Sequence, residues 1–143
     1  MMTVNKLLKD KPTQAIWSVS PDSTVYETLQ FMAEKNIGAA LVMENNQLVG
    51  IFSERDYARK GIIHGRKAKS TPISEVMTPN VITVSSDMTI QNCMQIFSDK
   101  KFRHLPVMDE GVVVGVLSIG DIVTSLIQEQ RQHIQFLEQY ISN

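Results

Sequence analysis

The sequence predicts an α+β fold in which one supersecondary unit is used twice. Three observations carry this: a long ungapped internal repeat, a hydrophobic period that switches between helix and strand within each copy, and copies too short to bury a core alone. Slid against itself by 65 places, the segment from Ile16 to Tyr57 falls onto Val81 to Ile122 without a gap. Identical pairs include Val19/Val84, Asp22/Asp87, Thr24/Thr89, Lys35/Lys100, Gly50/Gly115, Ser53/Ser118 and Asp56/Asp121. A match of this length implies a duplicated unit. Each copy needs the other to complete a core, so a pseudo-two-fold arrangement with a cleft repeated in each half is expected.

Each copy opens on a short apolar run, Ile16 to Val19 and Val81 to Val84, read as a leading strand. Thr24-x-x-Glu27 has the form of a capping box, and Val25, Leu29 and Met32 follow at helical spacing; Thr89, Ile90, Met94 and Phe97 repeat the pattern. Helices are therefore predicted over 24–35 and 89–100. The runs 39–43 and 48–52, split by Glu44 to Gln47, predict a hairpin, as do 105–108 and 112–117 around Asp109 to Gly111. A further helix begins near Ser53 and near Ser118. The order is strand, helix, strand, strand, helix, twice, rather than a Rossmann alternation.

The 143 residues include 14 Lys+Arg against 15 Asp+Glu, for a net charge of −1, which disfavours a nucleic-acid binder that neutralises phosphates over a broad face. No apolar run is long enough to span a bilayer, and the apolar stretch in the first residues is too short for a signal peptide. A cytoplasmic protein without nucleic-acid or membrane partners is expected. Cys93 has no second cysteine to pair with, and it is too far from His64, His104 and His133 in sequence to suggest a metal site. It reads as a small buried residue, the methionines, among them Met32, Met43, Met94 and Met108, as core filling, and Trp17 as a packing residue. No catalytic nucleophile, relay or P-loop is visible.

Both hairpins end on the same pattern, Gly50-Ile-Phe-Ser53-Glu-Arg-Asp56 and Gly115-Val-Leu-Ser118-Ile-Gly-Asp121. A strand here runs into a helix start, where free amides favour an anion and a carboxylate one turn along can accept both hydroxyls of a ribose. Ser-x-x-Asp is equally a capping box that needs no ligand. Both readings stand on the pattern alone.

These endings, with Phe102-Arg-His-Leu-Pro-Val107 and the lead-in Val76-Met-Thr-Pro79, resemble the tandem cystathionine-β-synthase-type (CBS) domain pair, or Bateman module, over about residues 10–127, in its small stand-alone bacterial type. The resemblance implies two β-α-β-β-α motifs packed with pseudo-two-fold symmetry: motif 1 over 10–60, a linker over 61–75, motif 2 over 76–127, and a C-terminal helical extension over 128–143. It implies a non-enzymatic regulatory module that takes an adenosine ligand (AMP, ADP, ATP or NAD) as effector, with no catalytic cofactor or metal. It also implies a homodimer that signals by conformational or dimer change, with an effector protein elsewhere.

Carried over residue by residue, one cleft would combine Ser53 and Asp56 with Thr78, Ile82, Thr83, Arg103, His104, Leu105 and Pro106. The other would combine Ser118 and Asp121 with Thr13, Ile16, Ser18, Gly38, Ala39 and Ala40. The Asp residues would take ribose hydroxyls and the Ser residues phosphate. Arg103 and His104 would add charge-assisted phosphate contacts to the first cleft, and the small residues of the second would leave room for a dinucleotide. The alternative function is a constitutive dimerisation scaffold with vestigial clefts. A nucleotide-processing enzyme is a third class. The basic cluster of Arg55, Arg59, Lys60, Arg66, Lys67 and Lys69 is open to polyphosphate contact or simple solvation. The linker reads as a surface connection able to move, and the apolar stripe after Ile122 as subunit contact or a fold-back onto its own chain.

Overall fold

Thirteen elements of helix and strand follow one another in a computed structural model that describes residues 2–11, 15–100 and 102–142. The chain runs α1 (Val4–Asp10), β1 (Ser18–Val19), α2 (Val25–Lys35), β2 (Ala39–Glu44), β3 (Gln47–Ser53), α3 (Glu54–Asp56), a π turn (Tyr57–Gly61), a 3-10 turn (Ile62–His64), a second (Ile73–Glu75), α4 (Ile90–Lys100), β4 (His104–Asp109), β5 (Val112–Ser118) and α5 (Ile119–Ser142). It divides into two compact units. One holds residues 15–83 with 109–113; the other holds the N-terminal segment, 84–108, and 114 to the C-terminus.

In the first unit β1 pairs parallel with β2, and β2 antiparallel with β3, so Ala39 lies opposite Ser53 and Ala40 opposite Phe52. The hairpin turn places Asn45 and Asn46 both at positive φ, 52° and 64°, the combination that a tight two-residue hairpin requires. α2 starts where the Thr24 hydroxyl accepts from the Glu27 amide and stops at Asn36 in the left-handed conformation. Its inner face, Val25 and Met32, packs with Ala40, Val42, Phe52, Ile73 and Val76.

The second copy of the repeat follows the same scheme with α4 and the β4–β5 hairpin, whose turn residues Glu110 and Gly111 are again at positive φ. Ile90, Cys93, Phe97, Leu105, Val107, Leu117 and Ile122 are buried. Of its expected leading strand only one parallel bridge forms, Val84 to Val107, and in the first copy the strand is two residues long. The leading runs are thus shorter than their apolar length suggests.

What leads each copy docks on the other copy's helix start. Residues 71–75 belong to the first unit: the Val25 amide donates to the Thr71 carbonyl, the Ile73 amide to Ser23, and the Ser74 amide to Pro21. In the second unit the same three bonds are made by Ile90 to Met2, Val4 to Met88, and Asn5 to Ser86. The apolar anchors correspond too, Val4 and Leu7 with Ile73 and Val76, all four buried. The linker expected to be mobile is therefore hydrogen-bonded in its second half, with the Tyr26 amide also on the Ala68 carbonyl.

Two further expectations are revised. The helix after Ser53 is only one α turn before it widens into the π turn, where Gly61 packs flush on the Tyr57 ring and has no room for a Cβ. Met94, expected in the core, is 40% exposed.

Candidate functional site

Both Ser-x-x-Asp sequences build helix starts of one design. In the first unit the Ser53 amide donates to Asp56 Oδ2 at 2.8 Å, the Ser53 hydroxyl donates to the same oxygen at 3.1 Å, and the Asp56 amide donates back to Ser53 Oγ at 3.4 Å. In the second the Ser118 amide donates to Asp121 Oδ2 at 2.9 Å and the Asp121 amide to Ser118 Oγ at 3.0 Å. The capping box is thus real in both copies, and it fixes each carboxylate by one oxygen.

The surroundings of the two carboxylates differ. Asp56 Oδ1 accepts the Thr78 hydroxyl at 3.1 Å, and Lys60 Nζ stands 3.8 Å away, within 3.4 Å of the Thr78 hydroxyl. Thr78 is held by a two-way backbone pairing with Ile51, the N–H of each donating to the other's carbonyl. Gly50 makes this approach possible, because a Cβ there would overlap the Met77 sulfur and come within 3.2 Å of the Thr78 carbonyl. Asp121 instead meets Lys11, whose ammonium lies 3.0 Å from Oδ2 and also donates to the Val116 carbonyl at 3.0 Å. Gly115 is the counterpart of Gly50 and faces the Leu8 side chain at 2.8 Å.

His104, at the start of β4, is half-buried beside this second start. Burial pushes its imidazole below the usual histidine range, the Asp121 carboxylate opposes that shift, and Lys11 and Arg103 reinforce it. Burial thus favours the neutral ring, whereas Arg103, exposed one residue before β4, keeps its charge. The Arg103 carbonyl accepts from the Ile119 amide, tying the strand's beginning to the start of α5.

The residues expected in the two clefts distribute between the units as follows. Ile16, Ser18, Gly38, Ala39, Ala40, Ser53, Asp56, Thr78, Ile82 and Thr83 belong to the first, and Arg103, His104, Leu105, Pro106, Ser118 and Asp121 to the second. Within the first unit Ser53, Asp56 and Thr78 meet directly, three of the residues that the family resemblance grouped, and Ala39 sits across the hairpin from Ser53. Within the second, His104 is influenced by Asp121, a residue the sequence reading put in the other cleft. Leu105 and Pro106 are buried strand residues, Ile16 and Ser18 are exposed, and Ile82 and Thr83 are half-buried. Thr13 lies outside the described residues.

Lys11 was not anticipated. The signal that finds it is the docked lead-in: aligning Val4-Asn-Lys-Leu-Leu8 with Ile73-Ser-Glu-Val-Met77 sets the N-terminal segment beside the second helix start as Thr78 stands beside the first. The basic cluster is partly neutralised. Arg66 pairs with Glu75 at 2.6 Å, Lys69 lies over the Tyr26 ring, and Lys60 faces Asp56. Trp17 meets Phe31 edge-on and carries Lys35 above its face. Among the described residues no group of His, Cys, Asp and Glu is arranged to hold a metal ion, and no helix is long and apolar enough to cross a membrane.

Comparison with known proteins bears on this geometry. A family model for the CBS domain matches twice, over residues 8–62 and 73–128. The CBS domain-containing protein CBSX3, mitochondrial, of Arabidopsis thaliana is 36% identical, the alignment covering 97% of this chain and 71% of that protein. A solved CBS-domain protein from Burkholderia ambifaria MC40-6 superposes with a TM-score of 0.87 at 41% identity, over 90% of this chain and 96% of that one. The structure of CBSX2 in complex with AMP matches with a TM-score of 0.76 at 26% identity, over 91% of this chain and 99% of that one.

Proposed function

Because this chain belongs to the CBS-domain family as a tandem pair, we propose that its two Ser-x-x-Asp helix starts are adenosine-ligand sites of a non-enzymatic regulatory protein. One observation carries the reading. The Asp56 carboxylate is anchored through Oδ2 and turns Oδ1 to an alcohol hydroxyl, the donor that a ribose presents. An oxygen held this way is preorganised: it has a second lone pair for a sugar hydroxyl, and the capping bonds need not break when ligand arrives. Asp121 repeats the anchor. The AMP bound in the related CBSX2 structure supports an adenine nucleotide as the ligand class.

AMP, ADP, ATP and NAD share the ribose and adenine and differ in phosphate, so Arg103, Lys60 and Lys11 are the groups that would rank them. Gly38 is exposed and Ala39 half-buried, so these two small residues would border the second half of a dinucleotide, whereas Ala40 is packed in the core. Bound nucleotide regulates by favouring the conformation or assembly it binds more tightly, and its effect is limited to that difference in affinity. The output passes through two associated copies or an effector protein.

A constitutive scaffold is the second reading. It is favoured by the completeness of the contacts without ligand, since each carboxylate caps its own helix and one of them is ion-paired with Lys11. Calorimetric titration with AMP, ATP and NAD, repeated on Asp56→Asn and Asp121→Asn, separates the two. Saturable binding reduced in the variants supports the sensor, and absence of binding by the unaltered protein supports the scaffold.

A further inference from the structure

The lysine beside the second helix start stands in for two groups of the first. Thr78 gives the first start two donors: its amide donates to the Ile51 carbonyl at 2.8 Å and its hydroxyl to Asp56 Oδ1 at 3.1 Å. In the second copy, 65 places on, the corresponding acceptors are the Val116 carbonyl and the Asp121 carboxylate. Both take the Lys11 ammonium, each at 3.0 Å. A formal charge thus replaces two neutral donors, and Lys11, Val116 and Asp121 all belong to one unit.

The charge stands where an incoming anion would meet it. Lys11 shares Asp121 Oδ2 with the Ser118 amide, so its ammonium lies at the first turn of α5, whose free amides favour negative charge. That turn is open. Residue 120 is glycine where the first copy has Arg55, and among the described residues a Cβ there would touch only the Ser118 hydroxyl, at 3.6 Å. An ammonium has three N–H donors, and its contacts to described residues occupy two. The capping amide and the lysine both use Asp121 Oδ2, so sugar hydroxyls can take Oδ1 without displacing Lys11. The Lys11 side chain is 24% exposed, against 45% for Lys60, which stands 3.8 Å from its carboxylate. Salt therefore screens Lys60 more than Lys11.

We propose, on the basis of the nucleotide reading above, that Lys11 is a specificity-determining residue: it makes the second start select 5′-phosphorylated adenosine over adenosine itself. A neutral donor such as the Thr78 hydroxyl holds a carboxylate without sensing charge on the ligand. An ammonium does both. It offsets the Asp121 charge through Oδ2, and its third N–H goes to a phosphate oxygen as a charge-assisted hydrogen bond. The two starts, alike in their capping bonds, thereby differ in the ligands they rank first.

Calorimetry with AMP and with adenosine tests this in the full chain carrying Asp56→Asn, which weakens the first start and leaves the second to be read. The ratio of AMP affinity to adenosine affinity should fall about tenfold when Lys11→Met is added, and Lys11→Arg in its place should keep most of the preference because the charge is retained. A merely structural role for Lys11 would weaken both compounds alike and leave the ratio unchanged. A ratio that Lys11→Met does not lower or that Lys11→Arg does not keep, or no AMP binding left once Asp56 is altered, would overturn the proposal, while AMP binding by the unaltered protein still upholds the nucleotide reading. Binding of neither compound by the unaltered protein would overturn both.

Discussion

The ammonium of Lys11 lies 3.0 Å from Asp121 Oδ2 and donates to the Val116 carbonyl at the same distance, so a residue from the end of α1 closes onto the start of α5. Asp56, the matching carboxylate, receives a threonine hydroxyl and stands 3.8 Å from its lysine. Both partners of the Lys11–Asp121 pair are about three-quarters shielded from solvent. Lys11→Met should therefore lower stability by about 1 kcal/mol, from one part-buried ion pair and one hydrogen bond. Urea unfolding measures this, and an unchanged midpoint would mean that the contact contributes nothing in solution.

His104 gives the protein a specific pH dependence. Its native pKa lies below the ordinary value of 6.5, chiefly because charging the ring would require protonating a buried group. Between the native value and 6.5 the unfolded chain binds the additional proton. The stability tied to this residue is therefore complete above pH 6.5, falls as the pH drops through 6.5, and levels off below the native pKa. His104→Gln should flatten that part of the stability–pH curve. NMR titration of the ring should show its pKa rising in Lys11→Met, which removes a nearby cation, and falling further in Asp121→Asn, which removes the opposing carboxylate.

The two glycines of the duplicated pattern should not tolerate alanine equally. At Gly50 a methyl group meets the Met77 side chain and the Thr78 backbone, and Thr78 is the residue that hydrogen-bonds Asp56. At Gly115 it meets only the flexible Leu8 side chain. Gly50→Ala should cost about 1–3 kcal/mol and Gly115→Ala less, as overpacking against backbone relaxes poorly. Denaturant unfolding of the two variants, side by side, checks the order; equal costs would refute the assigned role of Thr78.

Cys93 is buried on α4, and burial pushes its thiol up to about 11. Only the thiolate is strongly reactive, so the folded protein should resist a thiol reagent at pH 8 and become labelled at the rate at which it opens. Rapid stoichiometric labelling of the native protein would contradict the placement.

Much of the architecture was legible because the repeat supplied each signal twice. Helix starts at Thr24 and Thr89 and the polar breaks of both hairpins reappear as elements within a residue or two of their predicted bounds. The leading strands were read too long because Ile16 to Val19 is an apolar run whose strand is only Ser18–Val19, and periodicity does not report which backbone groups find partners. The docked lead-ins were missed for a different reason. Met2 to Leu8 corresponds to Thr71 to Met77 only after a four-residue shift from the main repeat, so an ungapped comparison passes over it. Of the candidate site, the pairing of Ser53, Asp56 and Thr78 was visible. Lys11 was not, since the lead-in that carries it matches its counterpart only in that shifted register.

The central claim is that the anchored carboxylates recognise sugar hydroxyls. The most direct measurement compares, by calorimetry on the unaltered protein, the affinity of AMP with that of its 2′,3′-dideoxy analogue, which keeps base and phosphate and lacks only the diol. Loss of hydrogen bonds to a charged acceptor should weaken the analogue by about 100-fold. Equal affinity of the two compounds would contradict the assignment of Asp56 and Asp121 to the ribose.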